Sequence, residues 1–226
     1  MIIRTKGVIG AFLLCLAGVV CLLVYQGRLV PPDPPLQSQL IFEDNFEKDS
    51  LKNYTQGQAD QGYEAGKWVV KDGRLHGEKI YNAALWITPA HLSKNVRIEF
   101  DARAESKEGD VKCEVFGDGL NHQSGYILIA GGWKNSMNII ARQDEHGEDR
   151  KEDRRCRGSK TFPCAQPNQD QHWIIERRNQ RISWWMDGHL VMHYRDQNPI
   201  VQPGFAFNNW SAPVSFDNLK IYQLIP

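Results

Sequence analysis

The chain has 226 residues, with 27 Lys and Arg against 27 Asp and Glu, for a formal net charge of zero. This balance excludes the basic excess that a nucleic-acid binder needs, and no acidic tail marks a disordered, solvating segment. Seven Trp, seven Tyr and nine Phe suffice for a packed core, and an indole also suits flat, partly polar ligands because its face stacks while its N–H donates.

The N-terminal thirty residues form a separate unit. Residues 1–6 read as a short cytoplasmic segment, and residues 7–25 carry no charge, long enough for the ~20-residue helix that spans a bilayer core. Arg4 and Lys6 precede this run, so the positive-inside rule places the rest of the chain outside, in the periplasm or the extracellular space. A cleaved signal peptide is the alternative to an uncleaved signal anchor, but no A-x-A site follows. Residues 26–38 follow as a spacer, in which VPPDPPL reads as stiff polyproline, and the folded domain occupies residues 39–226.

Within that domain helical periodicity is nearly absent and period-two alternation recurs. In NVRIEFDARAE, Val96, Ile98, Phe100, Ala102 and Ala104 face one way while Arg97, Glu99, Asp101, Arg103 and Glu105 face the other. Such a strand has one side on a core and one side wet. In DVKCEVFG, Val111, Cys113 and Val115 share a face, opposite Lys112, Glu114 and Phe116; Cys113 reads as a buried, unpaired thiol. Over residues 137–143, Asn138, Ile140 and Arg142 share a face with Asp144, and Ile139 and Ala141 take the core. Asp72-Gly73 and Asp187-Gly188 are hairpin signals, because these turns need positive φ. Arg178-Asn179-Gln180 makes another tight connection. Cys156 and Cys164 bracket the polar stretch RGSKTFP, and a disulfide there suits an oxidising compartment. No Cys or His spacing matches a zinc site. About a dozen hairpin-linked strands without helices predict an all-β, two-sheet antiparallel sandwich, preceded by one transmembrane helix.

FEDNFE, W-x-V-x-DGRL, IEFDARAE, WIIERRNQRISWWMDGHLV and GFAFNNW…VSFDNLKIYQL follow one another in an order that resembles a concanavalin A-like (laminin G-like) jelly roll. Within that group the chain is most similar to the bacterial 3-keto-disaccharide hydrolase-like domains, over residues 40–225. The resemblance implies that the first and last strands pair, with residues 42–46 beside residues 216–224. It also implies cleavage of a keto-sugar glycoside, with Asp144, Glu145 and His146 the first residues to test. Its motifs are mainly structural and support the fold better than the activity.

Glu99, Asp101 and Glu105 invite comparison with the carboxylate strand of jelly-roll glycosidases. Glu99 and Glu105, six residues apart, stand roughly 20 Å from each other at ~3.3 Å per residue, whereas paired catalytic carboxyls stand ~5–9.5 Å apart. Arg97 and Arg103 on the same face would hold the acids ionised. Gly117-Asp118-Gly119 with Asn121 and His122 is a turn whose oxygens suit calcium; no other cofactor and no other metal is expected.

In the stretch GYILIAGGWKNSMNIIARQDEHGEDR, Asp144, Glu145 and His146 form an acid–base group at a strand end, with Arg142 placed to clamp an anion or a sugar hydroxyl. The alternative is a strand end whose charges neutralise one another. Trp133 lies at the opposite, hairpin end, too far to share an atom with His146 unless a loop folds back. Asn208, Asn209 and Trp210 make a second set, in which an indole stacks on a pyranose and amides read its hydroxyls. Trp86, near Asn82, is a third candidate. The leading expectation is a membrane-anchored module that recognises carbohydrate or another envelope component. The alternatives are the keto-sugar hydrolase and a non-catalytic subunit docked on envelope proteins.

Overall fold

The computed structural model describes residues 37–225, apart from 49–50, 90, 158 and 160–163. The anchor expected at residues 7–25 and nearly all of the spacer lie outside the described residues. Among the described residues no helix is long and apolar enough to cross a membrane.

Strands alternate with tight turns throughout. In chain order they are β1 (Gln37–Asp44), β2 (Tyr54–Gln56), β3 (Val69–Lys71), β4 (Arg74–Gly77) and β5 (Leu85–Ile87). Then come β6 (Asn95–Ala104), β7 (Val111–Gly117), β8 (Tyr126–Gly131), β9 (Met137–Arg142) and β10 (Lys151–Asp153). The last five are β11 (Gln171–Arg178), β12 (Arg181–Met186), β13 (His189–Arg195), β14 (Gly204–Asn208) and β15 (Val214–Ile225). The first sheet runs β13-β12-β11-β6-β15-β4-β3, with β1 also on β15; the second runs β10-β9-β8-β7-β14-β5-β2. The result is the expected two-sheet antiparallel sandwich, and first and last strands do pair, Phe42 opposite Ile221 and Asp44 opposite Leu219.

Local chemistry accounts for the turns. Asp72 and Gly73 both have positive φ (52° and 71°), as do Asp187 and Gly188 (50° and 75°), the backbone that two-residue hairpins require. In β6 every second residue from Val96 to Ala104 is buried and the others are half-exposed. The space between the sheets is filled largely by aromatics. Phe207 stacks on Phe216 at 4.2 Å, Phe100 on Trp173 at 5.3 Å, and Phe100 meets Phe207 edge-on at 5.2 Å.

Two faces differ from the expected pattern. Phe116, expected beside Lys112 and Glu114, turns into the inter-sheet core. The register of β14 on β7 jumps from Gly204–Gly117 to Phe205–Val115, so Phe116 is the extra residue of a bulge, with φ 59°. In β9 it is Ile140 that enters the main core, while Ile139 and Ala141 join Met137, Ile127 and Ile129 in a second apolar cluster. That strand is buried on both faces, and alternation alone cannot say which face is inner. Cys113 is a free, buried thiol, its pKa pushed well up by burial, and Cys156 is bonded to Cys164.

Phe207→Ala should cost ~3–5 kcal/mol of unfolding free energy in urea titrations, because four other rings would face the cavity it leaves. Reducing the Cys156–Cys164 bridge should cost ~2–3 kcal/mol by freeing a short loop in the unfolded chain; unchanged midpoints with and without reductant would contradict this.

Candidate functional site

The outer face of the second sheet carries its polar chemistry in the middle, where β7 presents Lys112 and Glu114. The alternation placed them on the face opposite Val111, Cys113 and Val115, and in the structure they are 1% and 0% exposed. Loops cover this strand and leave an open-mouthed cavity of about 430 Å³, within the range usual for small-molecule sites. Lys112 and Ile129 form the floor. Asp60, Asn82 and Trp210 stand on one side and Trp133, Glu145 and His146 on the other, with Glu108 and Asp110 at the start of β7.

Lys112 organises the charge. Its Nζ donates to Glu145 Oε2 at 2.7 Å and to Asn82 Oδ1 at 2.8 Å, which uses two of its three N–H groups. Burial works against its charge, but Glu145 and Asp110 outweigh that and hold the ammonium protonated beyond the usual lysine range. Burial would also raise Glu145, yet Lys112 prevails and its carboxyl lies below the usual range. Asp110 goes the other way. Burial pushes its pKa up, only partly offset by Lys112 and by the Trp210 N–H that donates to Oδ2 at 2.8 Å. Two carboxyl groups beside one cation are thus driven apart, one towards the ionised and one towards the protonated form. That divergence is the usual condition for an acid–base assignment.

A second buried group lies next along β7. Glu114 accepts from Asn208 Nδ2 at 2.7 Å and from Gln123 N at 3.1 Å, and His122 Nδ1 lies 2.6 Å away. Asn208 therefore anchors the fold beside the cavity and does not line it. Asn209 is fully buried, its amide donating to the Ala212 carbonyl. Of that expected set only Trp210 reaches the cavity.

Trp133 and His146, expected to be kept apart by the length of the hairpin, meet ring to ring at 5.4 Å, edge to face. Residues 143–150 fold back across the sheet, tied down by Glu145 on Lys112 and by Arg150 Nη1 donating to the Glu145 carbonyl at 2.8 Å. At the other end the turn Gly132–Asn135 is left-handed, with φ of 50°, 58° and 56° at Trp133, Lys134 and Asn135. Asn135 holds it there, exchanging two hydrogen bonds with the Ala165 backbone, next to the disulfide. Arg150 then stacks over Trp133 at 4.8 Å.

The remaining candidates lie elsewhere. Arg142 shares the inner face with Ile140 and binds Asp196 at 2.8 Å. Asp144 caps its own loop by accepting from His146 N. Trp86 packs against Gly117 and Gly204, where an added Cβ would fall 2.2 and 2.9 Å from its ring. Asp118 accepts from Leu120 N and Asn121 N within its turn, and among the described residues no group of three or more His, Cys, Asp or Glu is placed to hold a metal. Glu99, Asp101 and Glu105 lie on β6 and its end, in the other sheet, where Glu99 pairs with Arg97 and Asp101 with His172. Asp60, Asn82, Glu108, Asp110 and Lys112 escaped the sequence reading. The one available signal was a Lys and a Glu alternating within a strand whose neighbours β8 and β14 are mostly apolar.

The two antiparallel sheets form a jelly-roll sandwich with the cavity on the outer face of one of them. A non-specific endo-β-1,3(4)-glucanase of glycoside hydrolase family 16 superposes with a TM-score of 0.60 over 87% of this chain and 95% of its own, at 14% identity. The endo-β-1,3-glucanase of Pyrococcus furiosus does so with a TM-score of 0.60 over 88% and 98%, at 12% identity. Domain 4 of an extracellular family 43 arabinanase from Geobacillus stearothermophilus, solved with arabinotriose, gives 0.53 over 83% and 94%, at 14% identity. At these identities the likeness establishes the fold alone. Among curated proteins none matches the chain in sequence. The model of the 3-keto-alpha-glucoside-1,2-lyase-like domain family matches residues 41–222, and the chain belongs to that family.

Lys112→Met should cost ~3–5 kcal/mol, because it leaves the Glu145 carboxylate buried without its cation. Lys112→Met combined with Glu145→Gln should recover part of that loss; strictly additive losses in thermal unfolding would count against a coupled pair.

Proposed function

We propose that the cavity binds a 3-keto-α-glucoside and cleaves it by elimination across C1 and C2. The observation that carries this reading is Lys112. Glycoside hydrolysis passes through an oxocarbenium-like cation, which a buried ammonium opposes. Elimination from a 3-keto sugar passes through an enolate, and a fixed cation beside the C3 oxygen stabilises that charge as it develops. The remaining N–H of Lys112 supplies the donor. The family name, with its 1,2-lyase activity on a keto-glucoside, supports the same chemistry.

The roles follow from position. The C3 carbonyl makes the C2 proton acidic, and the imidazole of His146, standing against Trp133, takes it. Glu145 Oε1 lies 3.8 Å from His146 Nε2. The C1–O bond breaks as C1=C2 forms, and Asp110, whose pKa burial raises, gives a proton to the departing oxygen from its protonated form. The products are an unsaturated ketone and a free alcohol; His146 then releases its proton to solvent and Asp110 takes one back. Trp133 and Trp210 provide faces for the sugar ring.

The uncharged run at residues 7–25 behind Arg4 and Lys6, together with a disulfide suited to an oxidising compartment, supports a domain tethered on the outer side of a membrane. Retention of the full-length protein in membranes washed at alkaline pH, and its release once residues 1–36 are deleted, tests the tether.

The purified domain should convert a 3-keto-α-glucoside to an ultraviolet-absorbing enone and leave the parent glucoside intact. Turnover of the parent glucoside at a similar rate, with no enone, would sink the elimination reading. His146→Ala should lower kcat ~10²–10⁴-fold. An acid with a raised pKa stays competent to higher pH, so kcat/KM should fall on the alkaline side only above the ordinary carboxylate range. Asp110→Asn should abolish that limb of the profile.

A further inference from the structure

The imidazole of His146 lines the cavity yet its side chain is 67% exposed. Among the described residues its ring meets Trp133 edge to face at 5.4 Å and Glu145 Oε1 at 3.8 Å, the latter too long for a hydrogen bond. Such a ring is only as well placed as the loop that carries it and the left-handed turn that carries Trp133. Arg150 joins the two. Its Nη1 donates to the Glu145 carbonyl at 2.8 Å, which holds the backbone next to His146. Its guanidinium lies over the Trp133 ring, 4.8 Å from the centre. Its Nε and Nη2 both reach Glu152 Oε1, at 2.9 and 2.7 Å, and Glu152 stands in β10 opposite Ile139 of β9. One planar cation, its side chain 20% exposed, thus ties the loop and the turn to the sheet.

We propose that Arg150 is a positioning residue that sets the His146 imidazole against Trp133 at the cavity. His146 is the base of the elimination reading, on which this assignment rests. Lys112 holds Glu145 by its side chain and Arg150 holds it by its carbonyl, so the residue before His146 is fixed at two points. The shape of the guanidinium makes this possible. Its face covers the indole while N–H groups in its plane reach two different oxygens. A lysine ammonium is a point charge without a plane and cannot do both. Misplacing a catalytic group by ~1 Å is enough to cost about 10²-fold in rate. Charge alone is not the device: Arg154 Nε donates to the other oxygen of Glu152 at 2.8 Å, from a side chain 57% exposed. Arg154 is therefore the control, a cation on the same carboxylate placed away from the indole.

The test uses the full-length protein in detergent and has two readouts. The first is magnetic resonance of protein isotope-labelled at histidine Cε1. The His146 signal, identified by its absence from His146→Ala, should carry a ring-current shift from Trp133 and lose it in Arg150→Ala and Arg150→Lys. The second is turnover of methyl 3-keto-α-glucoside. Both Arg150 variants should lower kcat about 10²-fold and leave KM within about threefold. Glu152→Gln, which loosens the guanidinium without removing it, should give a smaller fall in kcat. Arg154→Ala should stay within about twofold of the parent, as expected for an exposed pair. An unmoved His146 signal in Arg150→Ala, a raised KM at unchanged kcat, full activity in Arg150→Lys, or an equal fall in Arg154→Ala would overturn the assignment. If Arg150→Ala does not fold, Arg150→Lys and Glu152→Gln carry the same comparison. If the parent turns over no substrate, the elimination reading falls. The His146 signal then decides by itself: a shift in Arg150→Lys supports the placement, and an unmoved signal removes it.

Discussion

A single ammonium group at the centre of a sheet face decides how the rest of the site is arranged. Lys112 is too buried to be solvated, and a bare buried cation would cost several kcal/mol. The protein surrounds it with Glu145, Asn82 and the nearby carboxyl of Asp110. Glu145 and Asn82 come from distant parts of the chain, the loop after β9 and the loop before β5, while Asp110 lies just before Lys112 at the start of β7. Satisfying one charge therefore brings two loops over one strand, and the cavity lies beside them.

That gathering is expressed in the backbone. Tyr81, Asn82, Asp110, Trp133, Lys134 and Asn135 all have positive φ without being glycine, a conformation that costs of order 1–3 kcal/mol per residue. Hydrogen bonds from outside the turns hold it. Asn135 grips the Ala165 backbone, Asn82 is bonded to both Asp60 and Lys112, and Asp110 accepts from Trp210 N. The disulfide at Cys156–Cys164 ends next to Ala165. It thus bears on the cavity through Asn135 and the placing of Trp133, as well as on global stability.

The two sheets use the same alternating pattern for different purposes. In β6 the polar face carries Arg97, Glu99 and Asp101, which pair with each other and with His172 and remain in contact with water. Such pairs contribute little to stability. In β7 the same alternation puts Lys112 and Glu114 under loops, where low local dielectric strengthens every interaction and makes each partner obligatory. The likeness in pattern and the difference in consequence follow from what covers the strand.

The sandwich, its hairpins and the pairing of first and last strands were legible in the sequence, because they depend on local alternation, on Asp-Gly turns and on motif order. The Cys156–Cys164 bridge and the buried Cys113 were legible for the same reason, as matters of spacing and of neighbours on one strand. The site was not. Glu145, His146, Trp133 and Trp210 could be singled out by type, but their association depends on a loop folding back over a sheet, and no period in the sequence encodes that. Arg142 and Asn208 were plausible by type as well, and the structure points one to Asp196 and the other to Glu114. Which face of a strand is wet, and so whether a lysine there is a solvated side chain or the centre of a site, is decided only by what the rest of the chain lays over it.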